Sequence, residues 1–480
     1  MGRKIFVPVL AALLSGCQLA PDHVRPGLPT APAYPVDGDS VVIGARAVEI
    51  GWRDFFADPQ LQQLVAAALE RNRDLAVAVA QIEEARGLYR IQAADQLPTL
   101  GSSAEAIRSR TGGDASGFPG AGDPATFTRY SIGVAVSSFE LDFWGRVRNL
   151  TEAARSQYLA TIEAQRAFRL TLIRDVAAAY FASREAAERI TLAEATLDSR
   201  REGVRVARRR LDAGVTSALD FRQAESLLTQ AETELAGLRL DKARSDNFLA
   251  VLVGGPIAGS LPPPLPLARH KSGTAVAEGL PSELLVARPD VVAAEERLRA
   301  ARANIGAARA AFFPTISLTG TAGFASTSLG SLFGSDGFTW SFGPTISLPI
   351  FDWGRRRGDL TVAEARENIA IATYERTVQE AFREVADALA GRRWLAEQVA
   401  AQMRATHAQR EIARIARLRY REGVANYLEV LDAERNLFTA EQALIALQRA
   451  ELDNLVSLYV ALGGGAIERG DGQGHGPTSR

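Results

Sequence analysis

The sequence predicts a mainly α-helical fold with a small β-barrel part, built from two copies of one unit. Three observations lead to this prediction. The chain repeats its own motifs in order, it contains two very long segments that are free of proline, and each copy carries two stretches of alternating apolar and polar residues. Two copies of a unit too elongated to bury its own face indicate stacked or ringed assembly, and that shape suggests a conduit.

The internal duplication is visible in three pairs of segments. The segment DLAVAVAQIEEAR begins at Asp74 and returns as DVVAAEERLRAAR from Asp290. The segment FWGRVR then returns as DWGRRR. Finally, RRRLDAGVTSALDFRQAES, which ends at Ser226, matches RLRYREGVANYLEVLDAERN, which ends at Asn436. The two copies therefore share their order as well as their motifs.

Each copy contains a segment suited to an exceptionally long helix. The range 146–213 contains no proline and one glycine, and the range 355–422 contains no proline and two glycines. At about 1.5 Å per residue each helix would be roughly 100 Å long, a length that only packing against neighbours supports.

Signals for a helix end and a new helix start follow each long segment. Gly214 precedes Thr216 and Ser217, and Gly423 precedes Asn426. A glycine permits the left-handed conformation that ends helices, and a hydroxyl or amide side chain caps the next helix. Each copy is therefore predicted to form a long antiparallel helical hairpin, over 146–252 and 355–462.

Four stretches alternate in polarity as strands do. They are the range 99–107, YSIGVAVSSFEL, TISLTGTAGF after Pro314, and WSFGPTISLPIF, so we expect strands within 99–142 and 314–351. A soluble sheet edge is the alternative. Four strands cannot close a barrel, which needs about eight, so three chains would pool twelve.

The N-terminus resembles that of an exported lipoprotein. Arg3 and Lys4 precede an apolar run over 5–14 that is too short to span a bilayer as a helix, as in a signal peptide. The sequence LSGC resembles a lipobox, and Cys17 is the only cysteine. We predict cleavage before Cys17 and a covalent lipid on it, with Gln18 fitting outer-membrane sorting. An ordinary signal peptide with an incidental cysteine is the alternative.

These signals divide the chain into six segments. The predicted segments are a signal peptide (1–16), a lipidated extended N-terminal segment (17–50), a first repeat (51–255), a Pro-rich linker (256–281), a second repeat (282–465) and a disordered tail (466–480).

Composition and motifs exclude several functions. The 480 residues are 47% hydrophobic and carry a net charge of −1, so the chain is long enough for a large core and has no nucleic-acid signature. The four histidines lack metal-ligand spacing, and no phosphate-binding loop occurs. We therefore predict no enzyme activity, no metal site and no cofactor apart from the lipid on Cys17.

The motifs are similar to those of a known family. The segment RPDVVAAEERLRAARANIGAARAAFFPTISLTG from Arg288, the motif FDWGRRR, and GVANYLEVLDAERNLF from Gly423 resemble the TolC-type outer-membrane efflux proteins. The lipobox LSGC followed by LAPDHVRPGLP narrows this resemblance to the OprM-like lipoprotein branch. The resemblance covers nearly the whole chain.

The resemblance implies a homotrimer in the outer membrane of a Gram-negative bacterium. Its twelve-stranded barrel would continue into an α-helical periplasmic tunnel. Such a duct passively conducts small molecules, such as antibiotics, that it receives from an inner-membrane RND-type pump through a periplasmic membrane-fusion adaptor. The duct itself would transform nothing.

The resemblance also implies a gate at the periplasmic hairpin tips. Leu428 and Asp432 match the OprM-like pattern, and the TolC-type pattern is matched by Asp220, Tyr420 and Glu429. Three copies of Asp432 around an axis would concentrate negative charge in a narrow mouth and favour cations. Solvated acids that only support the helix dipole are the alternative.

One position departs from the TolC-type pattern. Ala425 stands where that type carries an arginine two residues after the glycine, so an inter-chain clasp would have to use Arg419 or Arg421 instead.

The tips are also candidates for docking the adaptor. Helix capping and solubility are the alternative roles for these residues. The candidates are Arg209, Arg210, Gly214, Ser217, Arg419 and Gly423.

The two WGR motifs are predicted to mark the change from strand to helix. Trp144 and Trp353 would lie at the membrane interface, with Arg146 and Arg355 near lipid headgroups. Packing at a bend is the alternative. Two other functions also stay open, an exit duct for polypeptides in type I secretion and a non-conducting periplasmic scaffold.

Overall fold

The computed structural model describes residues 19–31, 34, 45–111, 125–256, 261–270 and 288–469. Cys17 and the predicted signal peptide lie outside the described residues, as do the end of the tail and most of the predicted linker. The chain divides into two compact units. Unit 1 comprises 1–26, 81–161 and 293–374, and unit 2 comprises 27–80, 162–292 and 375–480.

The described residues are mainly helical. The short helices are α1 (Trp52–Phe55), α2 (Pro59–Arg71), α3 (Arg73–Ala94) and α6 (Pro289–Ala310). The long ones are α4 (Arg146–Asp212), α5 (Ala218–Val253), α7 (Arg355–Arg421) and α8 (Tyr427–Ala461). The strands are β1 (Leu100–Thr111), β2 (Ala125–Glu140), β3 (Thr315–Ser326) and β4 (Phe338–Ser347). None of these helices has an apolar stretch of the length that a bilayer requires.

The four strands of unit 1 form one antiparallel sheet in the order β1-β2-β3-β4. Every strand has a helix at one end of the sheet, because α3 and α6 precede β1 and β3 while α4 and α7 follow β2 and β4. We call this the helix end and the opposite end the hairpin end. A bulge interrupts the pairing of β2 with β3 between Val136 and Phe139.

The two faces of the sheet differ in composition. Residues directly opposite each other in an antiparallel pair point to the same face. The register therefore places the apolar residues on one face, including Ile132, Val134, Phe324, Phe338, Trp340, Phe342 and Ile346. The other face carries mainly small polar residues, and at the hairpin end of β1 and β2 it also carries Ile107, Phe127 and Arg129. Its small polar residues include Ser103, Ser131, Thr319, Thr321, Thr339, Ser341 and Thr345. We call them the apolar face and the polar face.

The core of unit 2 holds the parts of the chain near residue 55, the middle of α4 and the end of α8. Phe55 stacks on Tyr459 with ring centroids 3.9 Å apart, and the Tyr459 hydroxyl donates to the carbonyl of Ile50 at 2.7 Å. The amides of Trp52 and Arg53 donate to carbonyls of residues 467 and 468 at 3.1 and 3.0 Å, so the start of the predicted tail packs on this unit.

Part of the predicted Pro-rich linker also belongs to this core. The amide of Leu267 donates to Glu188 at 2.8 Å, and the Leu267 side chain is buried. His270 is buried beside Phe181, and burial lowers its pKa. The segment 261–270 is therefore packed rather than free.

Candidate functional site

The candidate site consists of two helical tips in unit 2. The first tip (209–221) joins α4 to α5, and the second tip (418–432) joins α7 to α8. Gly214 and Gly423 have φ values of +73° and +75°, in the left-handed region that glycine adopts readily. The amides of Val215 and Val424 donate to carbonyls five residues earlier, at 2.9 and 3.0 Å. The duplication therefore gives two turns of the same form.

The first tip uses its carboxylate within its own turn. Ser217 caps α5 by accepting from the amide of Asp220 at 3.2 Å, and Asp220 accepts in return from the amide of Ser217 at 3.3 Å. The hydroxyl of Thr216 also donates to Asp220 at 2.5 Å. This hydroxyl bond is the largest cause of a lowered pKa at Asp220. Asp220, which sequence reasoning assigned to a gate, thus forms half of a capping box.

The second tip uses its carboxylates differently. Asn426 caps α8 by accepting from the amide of Glu429 at 3.1 Å. Ala425 occupies the position that corresponds to Thr216, so no hydroxyl reaches the carboxylate of Glu429. That carboxylate instead accepts from Arg419 at 2.8 Å. Arg419, a candidate for the clasp between chains, is therefore engaged within its own chain.

Asp432, Leu428 and Arg421 lie on or beside the second tip. Asp432 accepts from Arg435 at 2.9 Å, and both side chains are about half exposed. Leu428 is 45% exposed although it is apolar. Arg421, the last residue of α7, is exposed. These side chains are available to other molecules.

The structure brings the two tips into contact through tyrosines. The Arg210 guanidinium donates to the hydroxyl of Tyr420 and lies 4.9 Å from the centre of its ring. The rings of Tyr420 and Tyr427 are 5.2 Å apart. Tyr427 packs against clusters of both hairpins, its hydroxyl lies against Gly203, and burial raises its pKa to about 12.

A buried ion pair reinforces this contact, and sequence reasoning missed it. Arg200 of α4 lies 2.9 Å from Glu434 of α8, with only 6% and 15% of their side chains exposed. Glu434 also accepts from Arg417 at 3.0 Å. Glu434 belongs to the repeated motif of the second tip, but Arg200 is far from it in the sequence, so no local signal could have paired the two.

Three exposed apolar residues, Val215, Leu219 and Val424, were also missed, whereas Leu428 was already a gate candidate. Val215 and Leu219 in the first tip are 64% and 65% exposed, and Val424 and Leu428 at the matched positions are 66% and 45% exposed. The duplication was the available signal, because it repeats both positions. Among the predicted docking residues Arg209 is exposed, while Ser217, Arg210 and Arg419 have the partners described above.

The two WGR motifs adopt different environments. The indole of Trp144 donates to the carbonyl of Pro314 at 2.9 Å and stacks on Phe313 at 4.6 Å, so it is a packing residue at the bend. Trp353 is 89% exposed, has a φ of +54° and contacts Phe351. The matched tryptophans therefore do not have one common role.

The charged residues beside these tryptophans start the long helices. Asp142 accepts from the amide of Val147 at 3.1 Å at the start of α4, and Asp352 accepts from the amide of Arg356 at 3.3 Å at the start of α7. Arg146 donates to Glu140 at 2.9 Å, whereas Arg355 is exposed.

Comparison with known proteins identifies the class. The family model for outer membrane efflux proteins matches residues 64–255 and 280–464. The chain therefore belongs to the outer membrane efflux protein family, as the sequence motifs predicted.

Individual relatives are similar over almost their full length. The solvent efflux pump outer membrane protein SrpC of Pseudomonas putida is 44% identical over 466 residues, covering 96% of this chain and 98% of that protein. The cation efflux system protein CusC of Escherichia coli is 40% identical, covering 96% and 98%. The crystal structure of the open state of the Neisseria gonorrhoeae MtrE outer membrane channel has a TM-score of 0.85 at 40% identity, covering 95% and 100%.

These findings confirm the predicted family, the mainly helical fold with four strands, and the outer-membrane efflux channel. The relatives are channel and efflux components rather than enzymes.

Proposed function

We propose that three copies of this chain form the exit duct of a tripartite efflux pump. Their sheets would join into a twelve-stranded barrel in the outer membrane, and their helices would form a tunnel in the periplasm. The composition of the sheet supports this arrangement, because one face is largely apolar and exposed while the other carries mainly serine, threonine and glycine. The apolar face would contact lipid and the polar face would line the water-filled lumen.

The length of the strands supports the same arrangement. The strand β4 has 10 residues. A tilted strand needs about 9–11 residues to cross the hydrocarbon core of a bilayer. Exposed aromatic residues at both ends of this strand suit the two membrane interfaces, with Phe338 at the hairpin end and Phe351 and Trp353 at the helix end.

We place the gate at the second tip, and the observation that supports this assignment is that the acids there are held only by exposed ion pairs. Asp220 of the first tip is held in a capping box, whereas Glu429 and Asp432 are half-exposed and have only exposed arginine partners. Three copies of Leu428, Glu429 and Asp432 around one axis would form an apolar and acidic constriction.

The strength of these contacts suits a gate that must open. Exposed ion pairs such as Arg419–Glu429 contribute about 0–1 kcal/mol and weaken in salt. Breaking a buried pair such as Arg200–Glu434 costs about 3–5 kcal/mol. The two hairpins of one chain would therefore stay together, held by Tyr420 and Glu434, while the acids of the second tip exchange their arginine partners readily.

The same tips would dock a periplasmic adaptor. Val215, Leu219 and Val424 are exposed apolar side chains, and Arg209 is an exposed cation of the first tip. A partner with a small apolar surface and acidic residues would complement this end. The RND-type inner-membrane pump would supply cargo through that adaptor.

Small solutes are the proposed cargo. The relatives SrpC and CusC are named for solvent and cation efflux. Related ducts thus serve chemically different cargo, which supports a passive channel whose selectivity lies in the pump. We propose that the duct carries out no chemistry. A lipid on Cys17 would be the only prosthetic group of the protein.

The test is single-channel conductance of the purified trimer in a planar bilayer. Wild type is compared with the double variant Glu429→Ala, Asp432→Ala. Small wild-type currents that rise in the variant are the expected result, because removing six acids from three tips would loosen the constriction.

The matched control is Glu232→Ala with Asp241→Ala, which removes two exposed acids from α5 away from the turns. Its currents should equal those of wild type. Equal currents in all three proteins would place the gate elsewhere, and folded trimers without any current would overturn the duct.

A further inference from the structure

The hairpin formed by β1 and β2 extends beyond the rest of the sheet. Tyr130 pairs with Ser326 at the end of β3, so residues 126–129 of β2 have no partner in β3. Two arginines of β1 lie on this projection, where Arg108 is opposite Thr128 and Arg110 is opposite Thr126. Both arginines and Thr126 are exposed.

The register places these arginines on the apolar face. Ala104, Ala106, Arg108 and Arg110 share one face of β1, and Ala104 is in the same row as Ile132, Phe324 and Phe338. Going toward the hairpin end, this face thus presents a row with two phenylalanines, then Tyr130, then Arg108, then Arg110. The order is apolar, amphipathic and cationic, as at the edge of a membrane.

The spacing of these rows fits a lipid headgroup layer. Arg108 lies four residues beyond Ala104, which is roughly 13 Å along the strand and roughly 10 Å in height at the usual tilt of a barrel strand. The polar layer on each side of a bilayer core is about 5–8 Å thick. The flexible stem of Arg108 therefore allows its guanidinium to reach that layer.

The chemistry of the site favours phosphate. A guanidinium presents a planar fork of donors that matches phosphate oxygens, and each arginine has a threonine hydroxyl directly across the strand as a further donor. Neither arginine forms an ion pair with a carboxylate of the described residues. An arginine on the lipid face is costly at the membrane centre and almost free near the interface.

We infer that Arg108, Arg110, Thr126 and Thr128 bind the phosphate groups of lipid headgroups in the leaflet at the hairpin end. This inference rests on the proposed function, because it requires the apolar face to contact lipid. The site would hold the trimer at a fixed height in the membrane through charge as well as through apolar contact.

The chain supplies a matched control. Arg129 belongs to the same hairpin and is also exposed, but it lies opposite Ile107 on the polar face. Removing Arg129 changes the charge of the hairpin as much as removing one of the other two arginines does. Only the face differs.

The test is binding of phosphorylated lipid to the delipidated trimer in nonionic detergent, measured by native mass spectrometry. The probes are lipid A with two phosphates and lipid A from which both phosphates have been removed. Wild type should prefer the phosphorylated form. Each arginine near an anionic lipid surface contributes enough for a roughly fivefold effect, so Arg108→Ser with Arg110→Ser should bind roughly thirtyfold more weakly.

Two further variants make the result specific. Arg129→Ser should bind as wild type does, and Arg108→Lys with Arg110→Lys should keep binding to within about fivefold. Equal binding by the double serine variant, equal binding of the two lipids, or an equal loss in Arg129→Ser would each overturn the inference.

Conductance of the same preparations separates this inference from the proposed function. If wild type and the double serine variant both conduct but bind lipid equally, the proposed duct is supported and the proposed phosphate site is refuted. If folded wild-type trimers do not conduct, the proposed function fails on its own measurement.

Discussion

In the first tip the carboxylate of Asp220 accepts from Thr216 and Ser217 and closes its own turn, whereas in the second tip the carboxylate of Glu429 reaches out to Arg419. The backbone is the same in both tips. The difference follows from one side chain, because Thr216 has a hydroxyl and Ala425 does not. The two copies thus keep the same turn. The carboxylate of the first tip closes that turn, whereas the carboxylate of the second tip binds Arg419 instead.

The tips also differ in what supports them. The first tip is capped by its own side chains. In the second tip, Tyr420 contacts Arg210 and Tyr427 contacts Gly203, both of the first hairpin. Both tips share the contact between the hairpins, but the turn of the first tip is held more by its own side chains and the second relies more on that contact. Three changes test this comparison.

The largest effect is expected from Glu434→Gln, which leaves Arg200 buried without its counter-charge. Loss of one partner of a buried pair costs about 3 kcal/mol or more. Hydrogen exchange should therefore be roughly a hundredfold faster or more in the second tip, with little change at the capped amides of the first.

The control for this change is Glu225→Gln, which breaks the exposed pair with Arg222 and should alter neither tip. Equal acceleration at both tips in Glu434→Gln would contradict the view that the second relies more on the contact between the hairpins.

An intermediate effect is expected from Asp220→Ala, which removes the capping box of α5. The cost is about 1 kcal/mol and should appear as faster exchange in the first tip alone. The matched change Glu429→Ala should cost less stability, because Asn426 still caps α8 with its own side chain. A larger loss of stability in Glu429→Ala than in Asp220→Ala would show that Glu429, and not Asp220, supports its tip.

The smallest effect is expected from Ala425→Thr combined with Glu429→Asp, which copies the arrangement of the first tip into the second. Stability should change by less than about 1 kcal/mol. The pKa of the carboxyl introduced at position 429, measured by NMR, should fall below the usual aspartate range, as it does at Asp220. Glu429→Asp alone is the control, and a pKa equally low there would mean that the threonine hydroxyl is not the cause.

The fold was predictable because its main signals are local or repeated. The absence of proline between Arg146 and Asp212 predicted one long helix, and Gly214 and Gly423 predicted the positions of both turns. Alternating polarity predicted strands, and the structure adds their bounds and their register.

The site was predictable only in part. The positions of both tips followed from the repeat, but the contacts that distinguish them did not. The bridge between Arg200 and Glu434 and the contact between Arg210 and Tyr420 join segments that are remote in the sequence. The packing of Trp144 on Phe313 likewise depends on tertiary structure, which a matched WGR motif does not encode.

The contact between Gly203 and Tyr427 has a consequence for how this family can vary. A methyl group on Gly203 would overlap the hydroxyl of Tyr427, while the next nearest atom, the ring carbon Cζ, would lie 3.8 Å away in ordinary contact. Alanine at position 203 is therefore compatible with phenylalanine at position 427 but not with tyrosine. Among aligned relatives the two positions should covary. Tyrosine at position 427 should occur with glycine at position 203, and a larger residue at position 203 should occur with phenylalanine at position 427.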